Sequence, residues 1–432
     1  MQGENTLEIM LEITRIRASK EAIAEGLQKR GVDYSEQLDE TIRLDEAWRA
    51  VKGKREKIKA ESNKLSKSIG QFFKEGKTDE AEAAKERTKT LKAEEQELKE
   101  HEQELEEQLQ NALYEIPNVP QDIVPAGTSE EENEVVEEHG ARREYTFDPQ
   151  PHWELAKAGA TIDFELGVKV TGAGFPFYKG KGAKLQRGLI NFFLDEANKR
   201  GYEEFIPPLV VNEDSGIGTG QLPDKEGQMY HVTEDDLYLI PTSEVPLTNI
   251  YRDTIIEKKD FSEKMTSYTP CFRREAGSYG KDVRGLNRLH QFDKVELVRV
   301  EHPDRSEKAL EEMVDHVKGL LEKLGLEYRV LRLCGGDLGF TAAITYDFEV
   351  FSAAQEKWLE VSSVSLFETF QANRLKLRFR DEDKKTRLCH TLNGSALALP
   401  RIVAALMENH QNEDGTISIP EALQTYVGFD LI

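Results

Sequence analysis

Cysteine is scarce in this sequence. Cys271, Cys334 and Cys389 are the three cysteines in 432 residues, and no Cys-x-x-Cys pair or Cys/His spacing accompanies them. An odd and sparse set excludes a disulfide framework and gives no sign of a zinc site. We therefore expect no zinc, and we expect thiols that are buried in a reducing compartment.

Long apolar runs are missing as well. No stretch reaches the roughly 20 apolar residues that a membrane-spanning helix needs. The segment MQGENTLEIM lacks the basic stretch and apolar core of a signal peptide. We expect a cytoplasmic protein that does not enter a membrane.

Positive charge is in deficit. The chain has 58 Lys and Arg against 81 Asp and Glu, which gives a formal net charge of −23. A balance this acidic argues against a general nucleic-acid binder. The distribution is uneven, because residues 49–92 hold 14 basic and 7 acidic side chains, whereas residues 93–138 hold one basic and 16 acidic ones. One segment of an acidic protein is therefore locally basic.

Two segments with coiled-coil spacing include this basic region. Seam positions alternate steps of four and three from Leu44 to Phe72 and again from Ala84 to Ala112. A turn signal at 76–78 predicts an antiparallel helical hairpin about 45 Å long. Its charged exterior is either simply solvated or a surface for a phosphate backbone. The basic candidates for such contacts are Arg49, Lys52, Lys54, Arg55, Lys74, Lys77, Lys85, Arg87, Lys89 and Lys92.

Three regions follow from the breaks in pattern. Residues 1–116 form a helical domain, with a first helix over Glu8–Lys29 and the hairpin at about 44–113. Residues 117–151 contain prolines and an acidic run, which predicts a mobile linker. Residues 152–432 show mixed helix and strand patterns, so the fold class is α+β.

Local signals predict several elements of the third region. Lys184–Lys199 has an amphipathic helical pattern, and Glu204–Val211 has a strand pattern whose prolines place it at an edge or an interface. Gly216–Gln221 is predicted to be a loop. His390–Ala398 is predicted to be a strand that runs into a helix.

The stretch Cys271–Val298 attracts most interest. Strand signals over Thr269–Glu275 and Leu289–Val300 flank a glycine-containing loop, 276–288. This arrangement predicts two strands joined by a loop, and we expect the loop to rearrange during the protein's activity.

The side chains of this stretch are unusual for a packing surface. Because alternate residues of a strand share a face, Arg273 and Glu275 point the same way, and so do Phe292 and Glu296. The set is either the charged outer face of a hairpin or a binding face with a cation, an aromatic ring and two carboxylates.

Three stretches resemble the signature motifs of class II aminoacyl-tRNA synthetases. Gly201–Val210, with Pro208, is similar to motif 1, Phe272–Glu275 with Phe292 is similar to motif 2, and Asn393–Arg401 is similar to motif 3. Six segments, some of which overlap these motifs, occur in the order of the bacterial-type seryl-tRNA synthetases, namely GTGQLP, PTSEVPLTN, TPCFRREAG, HQFDKVE, GDLGFTAA and HTLNGS. With the hairpin included, the resemblance covers almost the whole chain.

The resemblance implies an enzyme with a class II catalytic domain on a mixed, mainly antiparallel sheet flanked by helices. Such an enzyme activates L-serine with ATP and Mg²⁺ and transfers the seryl group to tRNA(Ser), with tRNA(Sec) as a further candidate. The resemblance also implies tRNA binding by the hairpin and a homodimer formed through motif 1, around Lys184–Lys199 and the Pro208 strand.

The resemblance assigns roles at the ATP site. Arg273 would hold the α-phosphate, Glu275 would accept from the adenine amino group, and Phe292 would stack on adenine. Arg401, with help from Arg288, would hold the distal phosphates, so Arg273 and Arg401 are the candidate catalytic residues. The candidate ATP-binding residues are Arg273, Arg274, Glu275, Arg288, Leu289, Phe292, Glu360, Val361, Ser362, Ser363 and Arg401.

The resemblance also assigns metal and serine ligands. Glu360 and Ser363 offer the hard oxygen atoms that Mg²⁺ prefers. Carboxylates suit an α-ammonium group, and a site that hydrogen-bonds a hydroxyl rejects alanine. The candidate serine-binding residues are Thr242, Ser243, Glu244, Glu296, Asn393 and Ser395.

Two alternatives remain at this point. A synthetase-like ligase that charges a carrier protein resembles the catalytic domain but lacks the hairpin. A catalytically silent paralogue is expected to lose the arginines of motifs 2 and 3, and both are present. Four residues depart from those more usual in the family without removing a proposed ligand, namely Gly336, Val364, Leu366 and Ala396.

Overall fold

The computed structural model describes residues 13–225, 227–257, 260–275 and 284–432. The chain forms two compact units. One unit contains the described residues up to Glu25 together with Asp33–Pro117, and the other contains Gly26–Val32 together with Asn118–Ile432. The first residues of the predicted Glu8–Lys29 helix lie outside the described part of the chain.

The first unit is a helical hairpin preceded by short helices. The helices are α1 (Ile13–Ala18), α2 (Lys20–Gln28), α3 (Ser35–Lys74) and α4 (Thr78–Tyr114). Gly76, with φ of 72°, makes the left-handed turn between α3 and α4. The 40 residues of α3 span about 60 Å. The predicted 45 Å is too short because the buried stripe already begins at Leu38.

Charged residues of α3 and α4 pair with each other across the hairpin. Arg55 forms an ion pair with Glu102 in the seam at 2.5 Å, and the exposed Arg87 forms one with Glu61 beside the seam at 3.2 Å. The earlier residue of α3 pairs with the later residue of α4, so the helices run antiparallel as predicted. Leu91 is fully buried in the same seam, where its apolar surface supplies the packing energy.

Most of the basic candidates of the hairpin face solvent. Arg55 is half-buried and its charge is engaged in the seam, whereas Lys52 lies 4.4 Å from the ring centroid of Trp48. Arg49 forms an ion pair with Asp45 at 2.8 Å. The exposed candidates are Arg49, Lys54, Lys74, Lys77, Lys85, Arg87, Lys89 and Lys92.

The second unit is built around an eight-stranded sheet. The strands of this unit are β1 (Glu134–His139), β2 (Ile162–Asp163), β3 (Phe177–Tyr178), β4 (Glu203–Glu204), β5 (Val210–Val211), β6 (His231–Val232), β7 (Leu237–Leu239), β8 (Ile255–Ile256), β9 (Ser262–Phe272), β10 (Gln291–Glu301), β11 (Tyr328–Arg332), β12 (Ile344–Ser352), β13 (Lys357–Glu368), β14 (Arg378–Arg380), β15 (Thr386–Leu388) and β16 (His390–Ala398). The helices are α5 (His152–Ala158), α6 (Phe164–Val170), α7 (Lys181–Lys199), α8 (Glu213–Thr219), α9 (Glu244–Asn249), α10 (Ser306–Lys323), α11 (Phe370–Arg374), α12 (Leu399–Asn409) and α13 (Glu421–Val427).

The order of the large sheet is β1-β11-β12-β13-β16-β10-β9-β4. Neighbouring strands are antiparallel except β4 and β9, which are parallel. One face is apolar, where Leu297 and Val364 pack in a common core with Phe193 of α7, Val317 of α10 and Val403 of α12. The other face is left for polar side chains in the middle of the sheet.

Strand β1 corrects the prediction of a mobile acidic run within 117–151. The segment pairs antiparallel with β11 at the edge of the sheet. Its acidic side chains meet basic partners, since Glu134 pairs with Arg332 and Glu137 with Lys318. Composition alone suggested disorder because these partners lie far away in sequence.

Two further local predictions are wrong. The predicted strand Glu204–Val211 is two short strands, β4 and β5, that belong to different sheets, because the two prolines between them cannot donate ladder hydrogen bonds. Most of the predicted loop Gly216–Gln221 lies in α8. Asn212 caps this helix by accepting from Ser215 N at 3.0 Å.

A buried arginine ties together separate backbone segments of the second unit. Arg30 donates to the carbonyl oxygens of Asn118 at 3.0 Å, Leu338 at 2.8 Å, Gly339 at 3.2 Å and Ala342 at 2.9 Å. These acceptors come from two stretches more than 200 residues apart in the sequence, so one side chain joins them.

We predict that Arg30→Met lowers the free energy of unfolding by about 2–4 kcal/mol, because several buried carbonyl groups lose their donor. Urea denaturation of both proteins measures this difference. Arg43→Met is the matched control, since Arg43 is exposed and pairs with the nearby Glu40. Equal small effects of the two substitutions would contradict the role given to Arg30.

Candidate active site

The polar face of the sheet forms the floor of the candidate site. The strand register places Glu296 of β10 opposite Ser395 of β16, and Asp347 of β12 opposite Ser363 of β13. Asn393 shares the face of Ser395 because it is two residues earlier in β16. Groups from four separate strands therefore meet on one surface.

A β-bulge places Glu360 and Ser363 on the same face. Residues three apart in a regular strand point to opposite faces. Here the register shifts, so that Ser363 lies opposite Asp347 while Glu360 lies opposite Glu349. The extra residue, Val361, turns its side chain into the core and is 1% exposed.

Three side chains form a hydrogen-bonded cluster at one end of the floor. Thr242, just before α9, donates to Glu296 at 2.6 Å. Lys294 forms an ion pair with Glu296 and donates to the Thr242 hydroxyl at 3.0 Å. All three are buried, so the ion pair is little screened by solvent.

A second carboxylate lies beside this cluster. Glu244, the first residue of α9, accepts from Gln371 at 2.6 Å and from Asn393 at 2.7 Å. Burial, together with the nearby charge of Glu296, raises the pKa of Glu244 to about 7, against the opposing effect of the hydrogen bond from Gln371. This carboxyl group is therefore poised to gain or lose its proton near neutral pH.

The predicted serine-binding residues mostly come together. Thr242, Glu244, Glu296 and Asn393 are joined by the contacts above, with Ser395 opposite Glu296 in the sheet. Ser243 is also buried, and its hydroxyl has no hydrogen-bond partner in the described part of the chain. Hydrogen bonds, strand register and burial thus bring most of the predicted serine-binding set into one place.

The other end of the floor carries the predicted nucleotide residues. The Arg273 guanidinium carbon lies 5.2 Å from the ring centroid of Phe292, and Arg273 Nε donates to Pro241 O at 3.4 Å. Arg274 is exposed, whereas Leu289 is buried. An arginine held beside an aromatic ring can donate hydrogen bonds to a phosphate group next to a surface on which a base can stack.

The remaining arginines are paired with candidate carboxylates. Arg288 forms an ion pair with Glu275, whose φ of 49° lies in the left-handed region. Arg401, in the first turn of α12, donates to the Glu360 carbonyl oxygen at 2.7 Å and pairs with its carboxylate at 3.2 Å. The hypothesis of a rearranging loop concerns 276–288, of which 276–283 lie outside the described residues.

Two predicted nucleotide residues point their side chains away from this surface. Val361 is in the core, and Ser362 donates its hydroxyl to Ser395 O at 2.7 Å while being 1% exposed. Their side chains are therefore committed to the protein interior.

Three polar residues of the site were not predicted. Lys294 could have been found, because it lies two residues before Glu296 and so shares its face. Asp347 is opposite Ser363, and its Oδ1 is buried without a hydrogen-bond partner among the described residues. Gln371 comes from α11 and carries no local signal, since only the fold brings it to Glu244.

The four residues that differ from the usual family residues are not among the polar side chains of the candidate site. Val364, Leu366 and Ala396 are fully buried in the apolar core. A Cβ on Gly336 would lie 2.5 Å from Gly127 O, which explains glycine at that position by close backbone approach.

All three cysteines are free and buried. In the described ranges, no group of three or more His, Cys, Asp or Glu side chains is arranged to hold a metal ion. No helix of the described residues is both long and apolar enough to cross a membrane.

Family models match both parts of the chain. Residues 10–120 match the seryl-tRNA synthetase N-terminal domain, and residues 229–410 match the tRNA synthetase class II core domain of the G, H, P, S and T type. The serine–tRNA ligase of Salinibacter ruber is 51% identical over 97% of this chain and 98% of its own length. This chain belongs to the seryl-tRNA synthetase family.

Two further comparisons extend this family assignment. The serine–tRNA ligase of a Sulfurovum species is 46% identical over 97% of this chain and all of its own length. The crystal structure of the Pyrococcus horikoshii seryl-tRNA synthetase complexed with ATP matches this fold with a TM-score of 0.90. The match covers 98% of this chain and 99% of that one, with 35% sequence identity. The predicted family and the predicted fold class, a helical hairpin with a mainly antiparallel sheet, are both confirmed.

We predict that Glu244→Gln flattens the pH dependence of stability. The pKa of Glu244 is about 7 in the folded chain, against an ordinary value of 4.5. Its stabilising contribution is therefore complete below about pH 4.5 and is lost as the pH rises through about 7, a change of up to roughly 3 kcal/mol.

Urea denaturation at about pH 5 and about pH 8 gives the free energy of unfolding of wild type and of E244Q. The difference between the two proteins at each pH measures the contribution of Glu244. Glu311→Gln serves as the control, because Glu311 is exposed on α10. A difference between wild type and E244Q that is the same at both pH values would contradict the raised pKa.

Proposed function

We propose that this chain activates L-serine with ATP and transfers the seryl group to tRNA(Ser). One polar face of the sheet carries the proposal, because Phe292 and Glu296 share this face of β10, Glu244 lies beside Glu296, and Arg273 lies beside Phe292. Membership of the seryl-tRNA synthetase family supports it, and the hairpin favours it over a carrier-protein ligase. Retention of Arg273 and Arg401 favours it over a silent paralogue.

The charge balance of the buried cluster suits an amino acid. Lys294 forms an ion pair with Glu296, and Glu244 lies beside this pair. When both carboxylates are ionised, a second positive charge is needed to balance them. The α-ammonium of serine supplies that charge and stabilises the ionised form of Glu244. Thr242 and Asn393 hold the two carboxylates in place, and Ser243 and Ser395 complete the proposed serine-binding set.

Activation requires charge neutralisation more than proton transfer. The serine carboxylate is already ionised, so it attacks the α-phosphorus and pyrophosphate leaves without a general base. Arg273 holds the α-phosphate by a bidentate contact, and Phe292 stacks on adenine. Glu275 accepts from the adenine amino group. Arg401 and Arg288 hold the distal phosphates after exchanging their carboxylate partners for ATP.

The residues around Glu360 fit a magnesium ion. Glu360, Ser363 and Oδ1 of Asp347, which has no hydrogen-bond partner among the residues that the structure describes, offer hard oxygen ligands on one face. Burial and the neighbouring charge of Glu360 raise the pKa of Asp347, which a bound cation would reverse. A bound Mg²⁺ would supply further neutralisation of phosphate charge.

We also propose a division of labour along the chain. Residues 1–116 bind tRNA through the exposed basic side chains of the hairpin, residues 117–151 connect the domains, and residues 152–432 carry the chemistry. tRNA(Sec) is a second acceptor to be tested. A homodimer through motif 1 is supported by Ile206, which is 91% exposed beside the partly exposed Leu209. Buried free thiols agree with a cytoplasmic location.

Serine-dependent ATP–pyrophosphate exchange tests the activation step. Wild type should exchange with serine and should be far less active with alanine, which leaves polar groups of the site unpaired. We predict that Arg401→Ala lowers exchange by roughly 100-fold or more, because a contact to developing phosphate charge is lost. Arg15→Ala, an exposed change in the first unit, should have no effect. Absence of serine-dependent exchange in the wild type would refute the proposed function.

Charge reversal on the hairpin tests the tRNA-binding role. The triple variant Lys85→Glu, Lys89→Glu and Lys92→Glu should keep pyrophosphate exchange but lose most tRNA aminoacylation, with steep salt dependence in the wild type. Deletion of Arg49–Lys92 should abolish aminoacylation more completely. Lys308→Glu, an exposed change on α10, is the control. Parallel loss of exchange and aminoacylation in the triple variant would contradict the division of labour.

A further inference from the structure

Helix α5 has no role in the function proposed above, yet it contacts the segment that leads into the nucleotide site. Its first residues, His152 and Trp153, lie against 284–286. The Arg284 guanidinium carbon is 4.7 Å from the ring centroid of Trp153. The amide of Leu286 donates to Nε2 of His152 at 2.8 Å. The same segment continues directly into the proposed ATP ligands.

The hydrogen bonds of His152 fix its protonation. The ring is fully buried, and its Nδ1 lies 2.7 Å from Oε1 of Glu408 on α12. Because Nε2 accepts from the Leu286 amide, it carries no proton, so the ring is neutral and Nδ1 donates to the carboxylate. Burial alone would raise the pKa of Glu408, but hydrogen bonds from His152 and Ser352 outweigh burial and lower it. The imidazole thus bridges the 284–286 segment and α12.

Glycine at position 285 allows the imidazole of His152 to approach the backbone of the 284–286 segment. Gly285 has φ of 70°, and a Cβ at this position would lie 2.1 Å from Nε2 of His152. Both the left-handed backbone and the close contact require glycine. The hydrogen bond between His152 and Leu286 therefore depends on Gly285, which has no Cβ to collide with the imidazole.

The same network reaches Arg401. The carbonyl oxygen of Asn287 accepts from Arg401 Nε at 3.1 Å. The side chain of Asn287 donates to Gln355 at 3.1 Å, and Gln355 donates to Glu408 at 3.0 Å. Glu408 therefore anchors this segment twice, once through Gln355 and once through the ring of His152.

We propose that His152 is a positioning residue for ATP binding. By accepting from Leu286 and donating to Glu408, it fixes residues 286–288 against α12. Arg288 and Arg401 are then held where they meet the distal phosphates. The inference rests on the proposed function for the roles of these two arginines, but the hydrogen bond of His152 can be tested separately.

Two variants of His152 separate its two hydrogen bonds. His152→Asn keeps a donor near the position of Nδ1 but has no acceptor for Leu286, whereas His152→Gln can place an oxygen near the position of Nε2. In pyrophosphate exchange, H152N should raise the KM for ATP roughly tenfold or more while leaving the KM for serine within about twofold. H152Q should raise the KM for ATP less than H152N does.

Hydrogen exchange at the Leu286 amide measures the same contact without reference to activity. Exchange should be faster in H152N than in wild type and slower in H152Q than in H152N. His316→Asn is the control, because His316 is 1% exposed and its ring nitrogens have no hydrogen-bond partner in the described part of the chain. This control should leave Leu286 exchange and the KM for ATP unchanged.

Unchanged Leu286 exchange in H152N would overturn the proposal, and so would equal increases in the KM values for ATP and serine. A wild-type chain without serine-dependent pyrophosphate exchange would instead refute the proposed function. In that case, Leu286 exchange would still decide whether His152 fixes this segment.

Discussion

The site depends on the alternation of side chains in a sheet with one buried face. Helices cover the apolar face, which leaves the opposite face of the same strands for polar groups. The bulge at Val361 interrupts this alternation, and it thereby brings Glu360 to the same face as Ser363. Binding groups from distant parts of the chain are thus placed by the packing that stabilises the core.

Electrostatics sets the character of each end of this face. At one end, the carboxylates of Glu244 and Glu296 are buried, and Lys294 forms an ion pair with Glu296. This arrangement costs desolvation energy and is relieved by a cationic ligand. Farther along the face, Arg273 lies beside Phe292 and Arg401 pairs with Glu360. The proposed substrates, a zwitterion and a polyphosphate, would therefore each meet side chains of opposite charge on this surface.

Those parts of the fold and of the candidate site that have a local sequence signal could be predicted. The seam of the hairpin, the helix α7 and the shared face of Phe292 and Glu296 follow from periodicity alone. Gln371 and Asp347 could not be predicted, because only tertiary folding brings them to their partners. Composition predicts a linker where strand β1 forms for the same reason, since its stabilising basic residues lie nearly 200 positions away.

The course of the backbone has a consequence for how this protein can be divided. Gly26–Val32 belongs to the sheet-containing unit, although the segments on both sides belong to the hairpin unit. A single cut near Pro117 would therefore take Arg30 away from the carbonyl groups that it binds. The two units are therefore interlaced along the polypeptide, so a chimaera made by one end-to-end fusion at this position would not exchange either unit whole.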